Sequence, residues 1–289
     1  MTTTEPLVQE QRVATDTPVR RTVAVASGKG GVGKTTVSVN LAVSLADAGY
    51  AVGLLDADIY GPNIPQMMGI RQMMERSPSG KIIPLVRHGV RLVSVGFLVG
   101  ESDAVIYRGP LVGKMIKRFL ADVEWGALDY LLVDLPPGTG DASLTLAQSV
   151  ALTGAVIVTT PQQVALADVR KSITMFQRLN TPILGIVENM CYFLDEASGT
   201  RTYIFGEDGG KGLSLEMDLP FLGEIPLNRL VCACGDAGEP IVTAYPDSDL
   251  AAAFRTIRDA MIAQADSAEL SRPNTLDIDF DNRLPGRDA

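Results

Sequence analysis

The chain alternates short runs of apolar, β-branched residues with longer stretches of helical spacing. Seven runs are predicted strands because they are almost continuously apolar, as strands buried on both faces of a parallel sheet are; they cover residues 22–27, 51–58, 91–97, 129–136, 155–161, 183–190 and 221–225. Predicted helices lie between or after them, at residues 34–48, 109–121, 142–151, 164–179 and 248–264. This alternation is typical of right-handed βαβ units. The sequence therefore predicts an α/β fold with a doubly wound, mostly parallel sheet flanked by helices.

The two ends of the chain lack this pattern. Residues 1–20 show neither strand nor helix periodicity, and residues 266–289 are rich in acidic side chains and poor in apolar ones. We therefore expect one folded domain at residues 21–265, between a flexible N-terminal segment and an acidic, poorly ordered C-terminal tail.

Charge and composition exclude several function classes. The 289 residues include 25 Lys and Arg against 34 Asp and Glu, which gives a net charge of −9. Because binding to a phosphate backbone needs clustered positive charge, we expect no nucleic-acid partner. No apolar run reaches the roughly 18 residues that span a bilayer, and the first residues do not resemble a secretory signal. We therefore expect a cytoplasmic protein with no membrane partner.

A glycine-rich turn follows the first predicted strand. Residues 28–36 read GKGGVGKTT and match the pattern G-x-x-x-x-G-K-[ST] between a strand and a helix. We expect the backbone N–H groups of this loop to point at phosphate oxygens. Lys34 would contact the β- and γ-phosphates of ATP, and Thr35 would bind Mg²⁺. The candidate nucleotide-binding residues here are Gly28, Lys29, Gly30, Gly31, Val32, Gly33, Lys34, Thr35 and Thr36.

Acidic residues end two further predicted strands. Asp56 and Asp58 are two residues apart and therefore share one face of their strand. Asp58 is the candidate for orienting or deprotonating the attacking water, and Asp56 for helping to bind Mg²⁺. Asp134 ends the apolar run LLVD, as a Walker B carboxylate does, and is the other Mg²⁺ candidate. The alternative that Asp56 or Asp134 caps the next helix stays open.

The second lysine of the glycine-rich loop, Lys29, completes the pattern K-G-G-x-G-K-[ST]. This pattern resembles the deviant Walker A motif of the dimerising ATPases that include MinD, ParA and the nitrogenase iron protein. In that class the extra lysine crosses to the nucleotide of the partner subunit, and the resemblance implies this role for Lys29. A lysine supplied in trans would couple hydrolysis to dimer formation. The expected catalytic residues are Lys29, Lys34 and Asp58.

Further stretches are similar to one subfamily, among them GLLDADIYGPNIPQMMG, TTPQQVALADVRK, ENM and PFLGEIPL. Together with the loop they resemble the Mrp/ApbC family of iron-sulfur cluster carrier ATPases, over about residues 22–262. The resemblance implies an ATP-binding homodimer that holds a bridging iron-sulfur cluster and passes it to apo client proteins. It also implies that Asn189 and Pro226 contact the adenine.

The chain departs from this family in the cluster-binding loop. Members of the family carry C-x-x-C shortly before I-F-G, whereas Asp195 and Ser198 stand at those two positions here. Oxygen ligands suit iron-sulfur iron poorly, so we do not expect this loop to hold an ordinary cluster. Cys232 and Cys234 are candidate replacement ligands, and Cys191 is a third. The alternative is that these cysteines are buried and inert.

Two other functions remain open at this point. A MinD- or ParA-like regulatory or positioning ATPase would bind no cluster, and the acidic net charge disfavours binding to DNA or membranes by such a protein. An electron donor like the nitrogenase iron protein is disfavoured because no cysteine follows Asp134 in residues 135–141.

Overall fold

The computed structural model describes residues 19–59, 61–97, 109–195 and 197–270. Its strands are β1 (Val19–Ser27), β2 (Val52–Asp56), β3 (Leu85–Arg87), β4 (Val90–Ser94), β5 (Leu128–Asp134), β6 (Gly154–Thr159), β7 (Ile183–Leu194), β8 (Arg201–Thr202) and β9 (Phe221–Leu227). Its helices are α1 (Lys34–Asp47), α2 (Ile64–Met67), α3 (Gly109–Asp122), α4 (Asp141–Ser149), α5 (Gln163–Arg178), α6 (Gly209–Glu216), α7 (Arg229–Ala237), α8 (Ile241–Ala244) and α9 (Asp249–Leu270), with a 3₁₀ turn at Val95–Phe97.

The strands form a single sheet in the order β3-β4-β2-β5-β1-β6-β7-β8, and β9 also pairs with β7. All pairs are parallel except β3 with β4 and β7 with β8. The predicted α/β class with a mostly parallel sheet is therefore confirmed. The two antiparallel strands at the edges were not predicted, because runs of two or three residues carry too little periodicity to be detected.

Alternate residues of the central strands build two apolar layers, one on each face of the sheet. In β1, Val23 and Val25 belong to a cluster that includes α1 and α9, whereas Ala24 and Ala26 belong to a second cluster that includes α3, α4 and α5. Both faces of the sheet are thus covered, which explains why its strands are apolar at nearly every position. Every described helix is too short or too polar to cross a membrane.

Two glycines bring α2 and α7 into direct backbone contact. Gly238, at the end of α7, has φ of 75°, and a Cβ built on it would lie 2.4 Å from the Cα of Gly69, just after α2. Gly69 has φ of 66°, and a Cβ built on it would lie 2.8 Å from the carbonyl oxygen of Gly238. Any side chain at either position would separate the two helices, because both backbones occupy the space that a Cβ needs.

The last helix extends beyond the domain boundary predicted at residue 265, because α9 continues to Leu270. Its final turns carry Asp266 and Glu269, which form ion pairs with the buried side chain of Arg21 in β1. Arg21 also donates a hydrogen bond to the hydroxyl of Tyr130. These contacts raise the pKa of Arg21, with the hydrogen bond to Glu269 as the largest cause. Of the expected tails at residues 1–20 and 266–289, residues 1–18 and 271–289 lie outside the described residues.

We predict that the double variant Asp266→Asn, Glu269→Gln lowers the free energy of unfolding by about 1–3 kcal/mol, because it leaves the Arg21 charge buried without a carboxylate. Urea denaturation measures this change. The control is Asp259→Asn, which removes a carboxylate that pairs with Arg258 on the exposed face of the same helix. Equal stability of the double variant and the control would contradict this role of Arg21.

Candidate functional site

The glycine-rich loop lies at the carboxyl edge of the sheet, between the end of β1 and the start of α1. β1 is flanked by parallel neighbours, with Val25 in register with Asp134 of β5 and Ser27 with Val158 of β6. Because parallel strands end at the same edge, the residues that follow β1, β5 and β6 converge there. The loop therefore lies where side chains from three strand ends can reach it.

Glycine is required at Gly33 for two reasons. Its φ is 81°, a left-handed conformation, and a Cβ at this position would lie 2.2 Å from Nδ2 of Asn189. That amide donates a hydrogen bond to the carbonyl oxygen of Val32 at 2.8 Å. Asn189, which lies within β7, therefore holds the turn of the loop from the side.

A buried ion pair lies beneath the loop. Nζ of Lys34 is 2.7 Å from Oδ2 of Asp134, and Lys34 is only 5% exposed while Asp134 is fully buried. The hydroxyl of Thr35 donates to the same carboxylate oxygen at 2.9 Å, and that of Ser38 donates to Oδ1. The carboxylate of Asp134 is thus bound by the loop and the first turns of α1. Ser38 was missed in the sequence, although its place one helical turn after Lys34 is a signal that could have identified it.

Asp56 lies beside this pair. It ends β2 and is in register with Asp134, which ends the neighbouring strand β5. It is fully buried, and its carboxylate accepts hydrogen bonds from Ser94 Oγ at 2.9 Å and from the backbone N–H of Asp58 at 3.2 Å. Burial, and then the nearby charge of Asp134, raise the pKa of Asp56 to about 8. A second cation at this edge would lower that pKa.

Neither strand-end aspartate caps the helix that follows it. The N-cap residue of α2 is Asn63 and that of α4 is Gly140. The carboxylate of Asp134 accepts from side chains around the loop, and that of Asp56 accepts from its own strand end and from β4. The capping alternative left open by the sequence is therefore not what the structure contains.

A cavity of about 340 Å³ opens over the loop. Its lining includes most of the predicted loop residues and Asp58, so the structure brings the two together. The opposite wall comes from α2 and α7, which were not predicted as helices; it includes Asn63, Gln66, Met67, Val231, Cys232 and Asp236. Asn228 before α7 and Gly238 after it are a cap-and-stop signal that could have located that helix.

Three of the predicted site residues do not make the contacts expected of them within this chain. Lys29 lines the cavity, and its Nζ donates to Oε1 of Gln162 in the same chain at 3.2 Å. Asn189 holds the loop, and Pro226 lies within β9; neither belongs to the cavity lining. The expected contact of Asn189 and Pro226 with adenine stays a prediction.

Within a single chain, the structure separates the two thiols of the expected chelating pair Cys232 and Cys234. Both residues lie in α7, where positions two apart point in roughly opposite directions, since each residue turns the helix by about 100°. Cys232 is accordingly exposed, whereas Cys234 is buried in the core. Among the described residues, no group of three His, Cys, Asp or Glu side chains could hold a metal ion.

The buried cysteines are also poorly suited to binding metal. Burial, with a contribution from the charge of Glu224, raises the pKa of Cys191 to about 12, and burial also raises the pKa of Cys234. Since the thiolate is the metal ligand, both groups are held in the unreactive form. Of the three thiols, Cys232 is the one that faces solvent.

Comparison with known proteins identifies the family. A family model described as "ParA: NUBPL iron-transfer P-loop NTPase" matches residues 18–262. An iron-sulfur cluster carrier protein of Synechocystis is 50% identical over 257 residues, which are 87% of this chain and 73% of the relative. The mouse iron-sulfur cluster transfer protein NUBPL is 46% identical over 252 residues, 86% of this chain and 79% of the relative.

Solved structures agree with this assignment. A nucleotide-binding protein from Archaeoglobus fulgidus in complex with ADP superposes with a TM-score of 0.71 at 42% identity, covering 82% of this chain and 92% of that one. The cell division ATPase MinD of Pyrococcus furiosus superposes with a TM-score of 0.66 at 23% identity, covering 85% and 99%, and shares the fold. The resemblance found in the sequence is confirmed: the chain belongs to the ParA family of NUBPL-type iron-transfer P-loop NTPases.

Proposed function

We propose that this chain is a Mg²⁺-dependent ATPase that acts as a homodimer and transfers iron-sulfur clusters to apo client proteins. The observation that carries the proposal is the convergence of Lys34, Thr35 and Asp134 beneath a cavity lined by a glycine-rich loop. Relatives that are 44–50% identical over most of the chain are named as iron-sulfur cluster carrier or transfer proteins, and these names support an iron-sulfur cluster as the cargo.

The loop residues divide the work of holding the triphosphate. Backbone N–H groups of the loop point at phosphate oxygens, and the ammonium group of Lys34 moves from Asp134 to the β- and γ-phosphates. An ammonium shared between carboxylate and phosphate stays in a charge-assisted hydrogen bond throughout this exchange.

The oxygen donors at the strand ends fit Mg²⁺, since this ion takes one or two protein oxygens and completes its shell with water and phosphate. Thr35 would provide the direct ligand, and Asp56 and Asp134 would orient the water around it. The ion supplies charge to neutralise the phosphates. Asp58, which lines the cavity with the loop, orients or deprotonates the attacking water.

A homodimer completes the site in this proposal. Lys29 would leave its own chain, cross to the partner's nucleotide, and stabilise the negative charge that develops on the leaving phosphate. Hydrolysis would then require two subunits with their cavities facing each other.

One observation favours a different function. Because Asp195 and Ser198 replace the C-x-x-C thiols and the three cysteines do not converge, the chain could be a regulatory ATPase that binds no cluster. In the cluster-transfer proposal, Cys232 is the thiol that each subunit offers, because it is exposed on the cavity wall. A two-fold dimer would supply two such thiols.

Lys34→Ala should abolish detectable ATP binding, because it removes the ammonium group that contacts the phosphates. Lys29→Ala should leave ATP affinity unchanged and slow hydrolysis by about 10³-fold or more, as loss of a charge supplied in trans does. Calorimetric titration with ATP and Mg²⁺ and a phosphate-release assay measure the two effects. Circular dichroism checks that Lys34→Ala is folded. Equal turnover by wild type and Lys29→Ala would contradict the trans role.

Binding of Mg²⁺ and ATP at about pH 7 should release a proton from Asp56. With its pKa raised to about 8, this carboxyl is protonated below that pH, and a nearby cation favours the charged form. Calorimetry in buffers of different ionisation enthalpy measures the release. It should disappear in Asp56→Asn and above about pH 9; a release that persists in Asp56→Asn would have another source.

Anaerobic reconstitution with iron and sulfide separates the two functions. We expect the wild-type dimer to gain the visible absorption of a cluster and to pass it to an apo-ferredoxin. Cys232→Ser should lose that absorption, whereas Cys234→Ser, which alters a buried thiol of the same helix, should keep it. If wild type gains no cluster, the regulatory function is favoured and the carrier function of this chain is contradicted.

A further inference from the structure

Lys29 is the residue that the proposed function sends to the partner subunit, yet the structure holds it in its own chain. Its Nζ donates a hydrogen bond to Oε1 of Gln162 at 3.2 Å, across a sequence separation of 133 residues. Both side chains are partly buried. In the proposed trans role, the ammonium group of Lys29 exchanges this amide oxygen for the phosphates of another subunit's nucleotide.

The sheet topology brings these two residues together. β1 and β6 are parallel neighbours, so the loop after β1 and the segment after β6 lie at the same edge. The loop is also packed tightly on α5, because a Cβ at Gly28 would lie 2.4 Å from the backbone nitrogen of Val169. The hydroxyl of Ser27 donates to the carbonyl oxygen of Lys29 at 3.0 Å. The backbone of Lys29 is therefore fixed beside α5.

The side chain of Gln162 is turned toward Lys29 and away from its own helix. Gln162 is the N-cap residue of α5, a position where side chains often accept from the first helical N–H groups, but it makes no such bond. Its Oε1 accepts instead from Lys29 and from Oγ1 of Thr160 at 3.3 Å. Because Thr160 is buried, its hydroxyl fixes the amide with the oxygen directed at the lysine.

We infer that Gln162 is a docking residue that keeps Lys29 in its own subunit until the phosphates of a partner's nucleotide compete for the ammonium group. The inference rests on the proposed trans role of Lys29. A neutral amide oxygen binds a cation less strongly than an ionised carboxylate or phosphate does, so this contact can be exchanged. Gln162 is thus a positioning residue, which sets how readily the catalytic lysine leaves and how readily the dimer forms.

Two substitutions shift this balance in opposite directions. Gln162→Glu offers Lys29 a carboxylate, which should weaken dimer formation by about 2- to 5-fold for each lysine, the range of partly exposed ion pairs. Two lysines leave their chains in each dimer, so the total effect is about 4- to 25-fold. Gln162→Met has a similar volume but only a weakly accepting sulfur in place of the amide oxygen, and should strengthen the dimer.

The matched control is Gln163→Glu, which places the same charge on the next residue, an exposed position of α5. Sedimentation velocity with Mg²⁺ and a non-hydrolysable ATP analogue measures dimer dissociation. Calorimetry on a dilute, monomeric sample measures nucleotide affinity, which should be equal in all variants. Added salt should reduce the effect of Gln162→Glu, because screening weakens the new ion pair.

A double-mutant cycle with Lys29→Ala tests whether the effect passes through the lysine. Docking requires that Gln162→Glu has no effect on the dimer once Lys29 is alanine. The inference is overturned if wild type dimerises and Gln162→Glu behaves like Gln163→Glu, or if its effect persists without Lys29.

Acylation of lysines by an amine-reactive reagent, located by mass spectrometry, tests the docking without a dimer. Lys29 should react about 2- to 5-fold more slowly in Gln162→Glu and faster in Gln162→Met than in wild type. If wild type fails to dimerise with the ATP analogue, the proposed function is contradicted, and the acylation rates still report whether Gln162 holds Lys29. Equal rates in all three proteins contradict the docking itself.

Discussion

The buried ion pair between Lys34 and Asp134 is the constraint on which the site depends. Removing two opposite charges from water is costly unless their remaining hydrogen-bonding capacity is satisfied. Here Thr35 and Ser38, both in the first turns of α1, donate to the carboxylate that also binds the lysine. The pair therefore requires that α1 begins directly after the loop and above the end of β5. Loop, helix and strand order are fixed together by this one requirement.

The neighbouring strand adds a second carboxyl group to the same region. Asp56 and Asp134 are in register on adjacent strands, and one buried cation, Lys34, lies close to both charges. Burial, and then the repulsion that remains, raise the pKa of Asp56 and favour its protonated form. At the carboxyl edge of the sheet, two carboxyl groups thus share one buried lysine. A metal ion bound there would supply the second positive charge, and the ionised form of Asp56 would then be favoured.

Much of this arrangement could be predicted from local sequence. The parallel strands were detectable because they are buried on both faces, and the loop because its spacing is restrictive. The wall formed by α2 and α7 was not detected, since short helices give weak periodicity and their contact is made by backbone atoms at Gly69 and Gly238. The separation of Cys232 and Cys234 has a similar origin: two thiols that are two residues apart in sequence point in different directions when the backbone is helical.

Gly69 and Gly238 also affect how the cavity can change shape. Packed side chains normally form a deformable layer between two helices, because they can change rotamer when one helix shifts. No such layer separates α2 from α7 where these glycines meet. A displacement of α2 would therefore move the backbone of α7 directly at this point, and the thiol of Cys232 lies on that helix. The wall formed by α2 and α7 thus connects the cavity over the glycine-rich loop to Cys232, the one solvent-facing thiol among the three cysteines.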